Sequence, residues 1–166
     1  NNAHYYLALH GNRSVYTPSI LRSKIVKYKP DIVIIDYLSL MGVNNGGKMV
    51  DEWQVVSYIS KELKKMAVSL NVPIWVVLQG NRGSNDKEEL TAADSSFYNA
   101  IRDFDSVTGI TKVPNAKYII RLNGIKGRDS KDDFKGYYTT NWDEGKVSFK
   151  GHILDGENFN GNRDIF

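Results

Sequence analysis

Residues 31–40 read DIVIIDYLSL. Four β-branched residues in succession, Ile32, Val33, Ile34 and Ile35, lead into Asp36. An apolar run without alternation is the pattern of a strand buried on both faces, as in a parallel sheet. Residues 73–79, PIWVVLQ, repeat it and end in Gln79. Between the two runs, from Asp51 to Leu70, Val56, Ile59, Leu63, Met66, Ala67 and Leu70 recur at helical spacing, while Lys61, Glu62, Lys64 and Lys65 take the other side. Asn71 suits the turn that ends such a helix. Strand, helix, strand in this order predicts a right-handed crossover and an α/β fold, its mainly parallel sheet flanked by helices.

Working outward, Thr17 caps a helix that starts at Pro18, runs to about Tyr28 and is stopped by Pro30. Tyr5–Leu9 is expected as a short strand. Residues 80–95, GNRGSNDKEELTAADS, read as a long mobile loop, a feature that compact domains keep mainly for function. A short helix over Phe97–Phe104 and strands over Ser106–Thr111 and Lys117–Asn123 should follow. Beyond the charged loop GRDSKDDFKG at 127–136, YYTTNW and KVSFKG pair as a C-terminal β-hairpin around Asp143-Glu144-Gly145. Residues 1–154 are expected to form one domain, and residues 155–166, rich in Asn and Gly, a loose tail. The opening NNAHYYLALHGN has no initiator Met and enters an apolar stretch at once, so a fragment is expected.

Composition narrows the chemistry. At 166 residues, 41% hydrophobic and 25% charged, the chain has the make-up of an ordinary globular domain. It has no cysteine, hence neither disulfides nor thiolate metal sites, and His4, His10 and His152 are too scattered for a zinc cluster. No run reaches the length of a membrane span and no signal peptide opens the chain, so a cytoplasmic location is expected. A net charge of +3 is compatible with a nucleic-acid partner without arguing for one.

Asp36 ends the most apolar strand, at the sheet edge where open α/β folds bind ligands. There an aspartate can hold Mg²⁺ through its water shell, or simply end a strand and cap a turn. Gln79 ends the neighbouring strand and can hydrogen-bond a γ-phosphate or an attacking water, or be an ordinary polar strand end. Residues 42–49, GVNNGGKM, come one residue short of a phosphate-binding P-loop. The motif needs Ser or Thr after its lysine as an Mg²⁺ ligand, and Met49 cannot serve. Tyr37–Met41 also separate it from the strand it should leave directly. It reads as a connection with coincidental spacing.

PDIVIIDYLSLM and KELKKMAVSLNVPIWVVLQGNR together resemble the RecA-like motor domain of DnaB-type replicative helicases. That family carries an apolar strand ending in Asp-Tyr-Leu, a helix closing in Asn-Val-Pro, and a strand ending in Gln with an Asn-Arg pair. TPSILRSKI, residues 17–25, is similar to the helix that precedes the first of these strands. The order and spacing fit from about residue 15 to residue 128.

The resemblance implies a partial domain lacking its P-loop, which lies upstream in the family, as does the catalytic glutamate. Asp36 would be the Walker B aspartate and Gln79 the γ-phosphate sensor, with ATP and Mg²⁺ as cofactors of the full-length assembly. Lys126 and Arg128 match a strand-end pair that reaches a neighbour's ATP, with Arg128 the arginine finger. Without the family they are a solvated basic strand end. Arg82 and Lys87 fall where the family places DNA-facing structure, and Arg82 could equally serve the nucleotide interface. The implied whole is a homo-hexameric, ATP-dependent DNA helicase acting on single-stranded DNA, with primase and a helicase loader as candidate partners and a phage-like divergence. IRDFDSV, with Asp103 and Asp105, keeps the family's acidic segment only loosely. Two alternatives stand beside it: a recombinase or clock-type RecA-fold ATPase, and a non-catalytic α/β module that binds DNA or an ATPase.

Overall fold

Helix α1, Pro18–Tyr28, begins and ends as its sequence dictates. Thr17 Oγ1 accepts from Ile20 N at 3.4 Å, Pro18 fills the first turn, and Lys29 in the left-handed region returns its N–H to Ile25 O. A computed structural model describes residues 15–43, 51–84, 87–95, 98–113, 116–128 and 134–152. The expected strand at Tyr5–Leu9, all of GVNNGGKM beyond Val43, and the tail from Asp155 lie outside them.

Two compact units make up the chain: Asn1–Gln79 with Phe97–Phe104, and Gly80–Ser96 with Asp105–Phe166. In the first, strands β1 (Val33–Ile35) and β2 (Ile74–Val76) pair in parallel, joined through helix α2 (Glu52–Leu70). Asn71, at φ 50°, closes α2. Val56, Ile59, Leu63 and Met66 are buried along α2 as the periodicity requires, and Leu21 and Ile25 of α1 join the same core. Helix α3 is shorter than expected, Tyr98–Ile101, and adds Ala100 to that core.

The parallel pair is not buried on both faces among the described residues. Val33, Ile35, Ile74 and Val76 pack on the helical core, whereas Ile34 and Trp75 on the opposite face are 66% and 67% exposed. Side chains alternate across a strand, and no described element covers that second face.

The second unit is a four-stranded antiparallel sheet in the order β3 (Ser106–Lys112), β4 (Ile119–Gly127), β5 (Lys135–Asn141), β6 (Lys146–His152). The expected hairpin is its β5–β6 half. Asn141 Oδ1 accepts from Asp143 N and Glu144 N, and Gly145 takes φ 62°, a conformation that a side chain would oppose. Strand β4 starts two residues later than expected, after a turn at Lys117–Tyr118, and runs on to Gly127.

Within the segment expected as a loop, residues 80–84 and 87–95 carry regular local structure. The segment contains 3-10 turns at Arg82–Ser84 and Ala92–Asp94, and Gly80 and Ser95 bridge its ends. Asn81 Nδ2 donates to both Ala93 O and Ser95 O at 3.3 Å.

Candidate functional site

In the first unit, Asp36 follows β1 directly and Gln79 lies beyond β2 on the same carboxyl edge. Register sets this arrangement: Ile35 pairs with Val76, which puts Val77 level with Asp36. Val77 N donates to Ile35 O at 2.9 Å, and Leu38 N donates to Val77 O at 3.1 Å. Asp36 and Tyr37 are thereby held between two bonds to a single residue, and the peptide joining them is cis. Leu38, fully buried, anchors the turn behind them. Asp36 and Gln79 are both exposed, and among the described residues no cluster of three carboxylates or histidines could cage a metal. A lone exposed carboxylate suits a hydrated Mg²⁺ that keeps most of its waters and binds phosphate as well.

In the second unit, Lys126 lies in β4, paired with Val107, and Arg128 follows its last residue. Arg128 N donates to Asp105 O at 2.8 Å, and its Nη1 meets Asp105 Oδ1 at 2.9 Å. Both side chains remain about half exposed.

Lys87 ends the first half of the 80–95 segment with its Nζ 2.6 Å from Asp94 Oδ1. Asp94 is a buried carboxylate that also accepts from Thr91 N at 2.9 Å and Thr91 Oγ1 at 2.8 Å. The Lys87 ammonium first, then the Thr91 N–H and hydroxyl, hold its carboxyl down at about 2. Arg82 sits on the first 3-10 turn.

Sequence reading passed over Arg121 and Asn123. Both are buried, two residues apart on one face of β4, and both bond to residues of the 80–95 segment. The signal was present in YIIRLNG, where two polar residues alternate inside an otherwise apolar strand.

Comparison with known proteins bears on these positions. The family described as DnaB-like helicase C terminal domain matches residues 7–99, more than half of the chain. That span contains Asp36, Gln79, Arg82 and Lys87, while Lys126 and Arg128 lie beyond it. A solved structure of a DnaB-like replicative helicase, described with its interactions with primase, is similar at 21% identity with a TM-score of 0.70. The likeness covers 83% of this chain and 37% of that one, so the chain spans little more than a third of that helicase's length. At this identity it shows a shared fold. No curated protein matches. No described helix is long and apolar enough to cross a membrane. With a strand-edge aspartate and glutamine on a parallel pair, and more than half its length matched, the chain belongs to the DnaB-like helicase C-terminal domain family.

Proposed function

We propose that this chain is part of an ATP-dependent replicative DNA helicase motor that translocates on single-stranded DNA as a homo-hexamer. The observation that carries the reading is the emergence of Asp36 and Gln79 at one edge of a parallel strand pair, in a chain of this family. Asp36 holds the water shell of Mg²⁺. Gln79 reads the γ-phosphate by hydrogen bond, and the chain passes at the next residue, Gly80, into the second unit. Mg²⁺ and ATP, when bound, supply the transferable phosphoryl group and neutralise its developing charge. Family membership favours this reading over the recombinase and clock-type ATPases of the same fold.

The other candidates all belong to the second unit. Arg128, with Lys126 beside it, acts across a subunit interface on a neighbour's ATP. Arg82 and Lys87 meet the phosphates of single-stranded DNA. Primase and a helicase loader are proposed as partners of the assembled protein, primase by analogy with the solved relative. This chain alone is expected to be inactive, because one carboxylate and one amide make no cradle for the β- and γ-phosphates.

The test is ATP turnover with and without single-stranded DNA, together with strand separation, on the full-length protein and its Asp36→Asn variant. Loss of turnover with Mg²⁺-dependent nucleotide binding weakened supports the assignment. Full activity in the variant removes Asp36 from the site.

A further inference from the structure

Three strands of the second unit grip three consecutive residues of the 80–95 segment. Thr111 Oγ1 on β3 donates to Glu88 O at 3.0 Å, and Arg121 Nη1 on β4 donates to the same oxygen at 2.7 Å. Lys135 Nζ on β5 meets Glu89 Oε1 at 2.9 Å. Asn123 on β4 satisfies both backbone groups of Leu90: its Oδ1 accepts from Leu90 N at 3.2 Å, and its Nδ2 donates to Leu90 O at 2.8 Å. A side-chain amide here does the work of a neighbouring strand's peptide.

The buried members dominate. The Lys135–Glu89 pair is 34% and 40% exposed, and ion pairs so open to solvent contribute little. Asn123 is 4% exposed and Arg121 6%, so leaving their partners unbonded is costly. Arg121 is further fixed by its Nη2 bond to Tyr137 Oη at 2.9 Å and by the Tyr137 ring 5.2 Å from its guanidinium carbon. Space for the clamp comes from Gly109, which pairs with Asn123 across β3 and β4. A Cβ at Gly109 would stand 2.7 Å from Asn123 Oδ1 and 3.0 Å from Leu90 Cβ.

Beyond Asn123 the same strand carries Lys126 and leads into Arg128, while the clamped segment carries Arg82 and Lys87. We infer that Asn123 and Arg121 are positioning residues that lock Glu88–Leu90 onto β4, so that the DNA-facing segment and the strand end bearing the finger move as one body. The inference rests on the motor reading of Asp36 and Gln79. Through this clamp, a shift imposed by DNA on the segment is delivered to Arg128 without slack.

The experiment measures ATP turnover of the full-length protein without DNA and with saturating oligo(dT). It also follows hydrogen exchange at the Leu90 amide. Asn123→Ala should cut the DNA-stimulated increment by about tenfold or more and speed Leu90 exchange by about the same factor, while DNA-free turnover stays within about twofold. Asn123→Asp keeps the acceptor for Leu90 N–H but sets a carboxylate oxygen against Leu90 O, so it should lose at least as much as Asn123→Ala. Thr111→Val removes only the donor to Glu88 O, so it should show a smaller loss of the same kind, and it carries the test if Asn123→Ala fails to fold. A folded variant with an intact increment, or with unchanged Leu90 exchange, overturns the positioning role and leaves the motor reading standing. Equal loss of turnover with and without DNA overturns it too, since that is what a merely structural residue would show. A wild-type protein that DNA does not stimulate overturns the motor reading itself, and this inference with it.

Discussion

Arg128 is joined to Asp105 twice, backbone N–H to carbonyl at 2.8 Å and guanidinium to carboxylate at 2.9 Å. The backbone bond belongs to the sheet and fixes where the residue leaves β4. The ion pair is half exposed, and such pairs are worth roughly 0–1 kcal/mol, which leaves the guanidinium able to exchange Asp105 for a phosphate, as the role proposed for it in trans requires. We predict that in the full-length protein Arg128→Ala lowers hydrolysis by ~10³-fold or more and leaves ATP binding largely intact. Mixed rings of Arg128→Ala and Asp36→Ala subunits should regain part of the activity, because some interfaces then pair an intact Asp36 with an intact Arg128. Weakened ATP binding by Arg128→Ala alone would place the residue in its own subunit's site instead.

A second prediction concerns stability of the first unit. Ser60 is fully buried on α2 and donates to Asp103 Oδ2 at 2.6 Å, tying the helix to the segment after α3. Ser60→Ala removes a donor to a charged acceptor and should cost about 1–3 kcal/mol in a denaturant titration. Leu63→Ala, from a side chain 2% exposed in the same helix, should cost about 2–5 kcal/mol. A Ser60→Ala midpoint indistinguishable from wild type would mean that Asp103 finds water as readily as it finds Ser60.

Helices α1 and α2 were legible because their signals are local. Thr17-Pro18 and the Val56–Leu70 stripe need no knowledge of the rest of the chain. The parallel pairing of β1 with β2 was legible from two β-rich runs around one helix. Exposure of Ile34 and Trp75 was not, since strand composition tells that a face is apolar and cannot tell what covers it. What ties the described part of the 80–95 segment was not legible for the same reason. Its Gly, Asn and Asp residues read as a loop, while the residues that order it, Arg121 and Asn123, lie 33 positions away from the residues they bind. Asp36 and Gln79 were singled out as strand ends: Asp36 does follow β1 directly, whereas Gln79 lies three residues past the end of β2. Asp105 was noted only as part of an acidic segment, because its partner is set by sheet register.

The Asp94 carboxyl, held at about 2 against an ordinary 3.8, sets a pH prediction. A depressed carboxyl favours the folded segment above its unfolded value, and this contribution is lost as protons bind between about pH 4 and pH 2. The turn at 91–94 should therefore stay intact down to about pH 4 and loosen below it. The Thr91 amide, which donates to Asp94, reports this directly through its chemical shift and exchange rate. Asp94→Asn should abolish the pH dependence in that window. A Thr91 amide that titrates near 4 in the wild-type protein would show that Lys87 does not hold the carboxylate in solution.

The last prediction separates the two cations proposed to face DNA. Each phosphate neutralised on a single strand steepens the slope of log K against log salt by about 0.7. Lys87 stands 2.6 Å from a buried carboxylate, so the pair presents little net charge to a phosphate, although an ammonium with three donors can still reach one. Arg82 lies on a different turn of the same segment. Arg82→Ala should therefore flatten the slope for oligo(dT) binding by about 0.7, and Lys87→Ala by clearly less. Asp94→Asn should act in the opposite direction, steepening the slope, because it leaves the Lys87 charge unopposed. Binding measured across a salt series on the full-length protein and these three variants decides the matter. Equal slopes for Arg82→Ala and Lys87→Ala would mean that phosphate displaces Asp94 from Lys87 when DNA binds. An unchanged slope for Arg82→Ala would remove that residue from the DNA path.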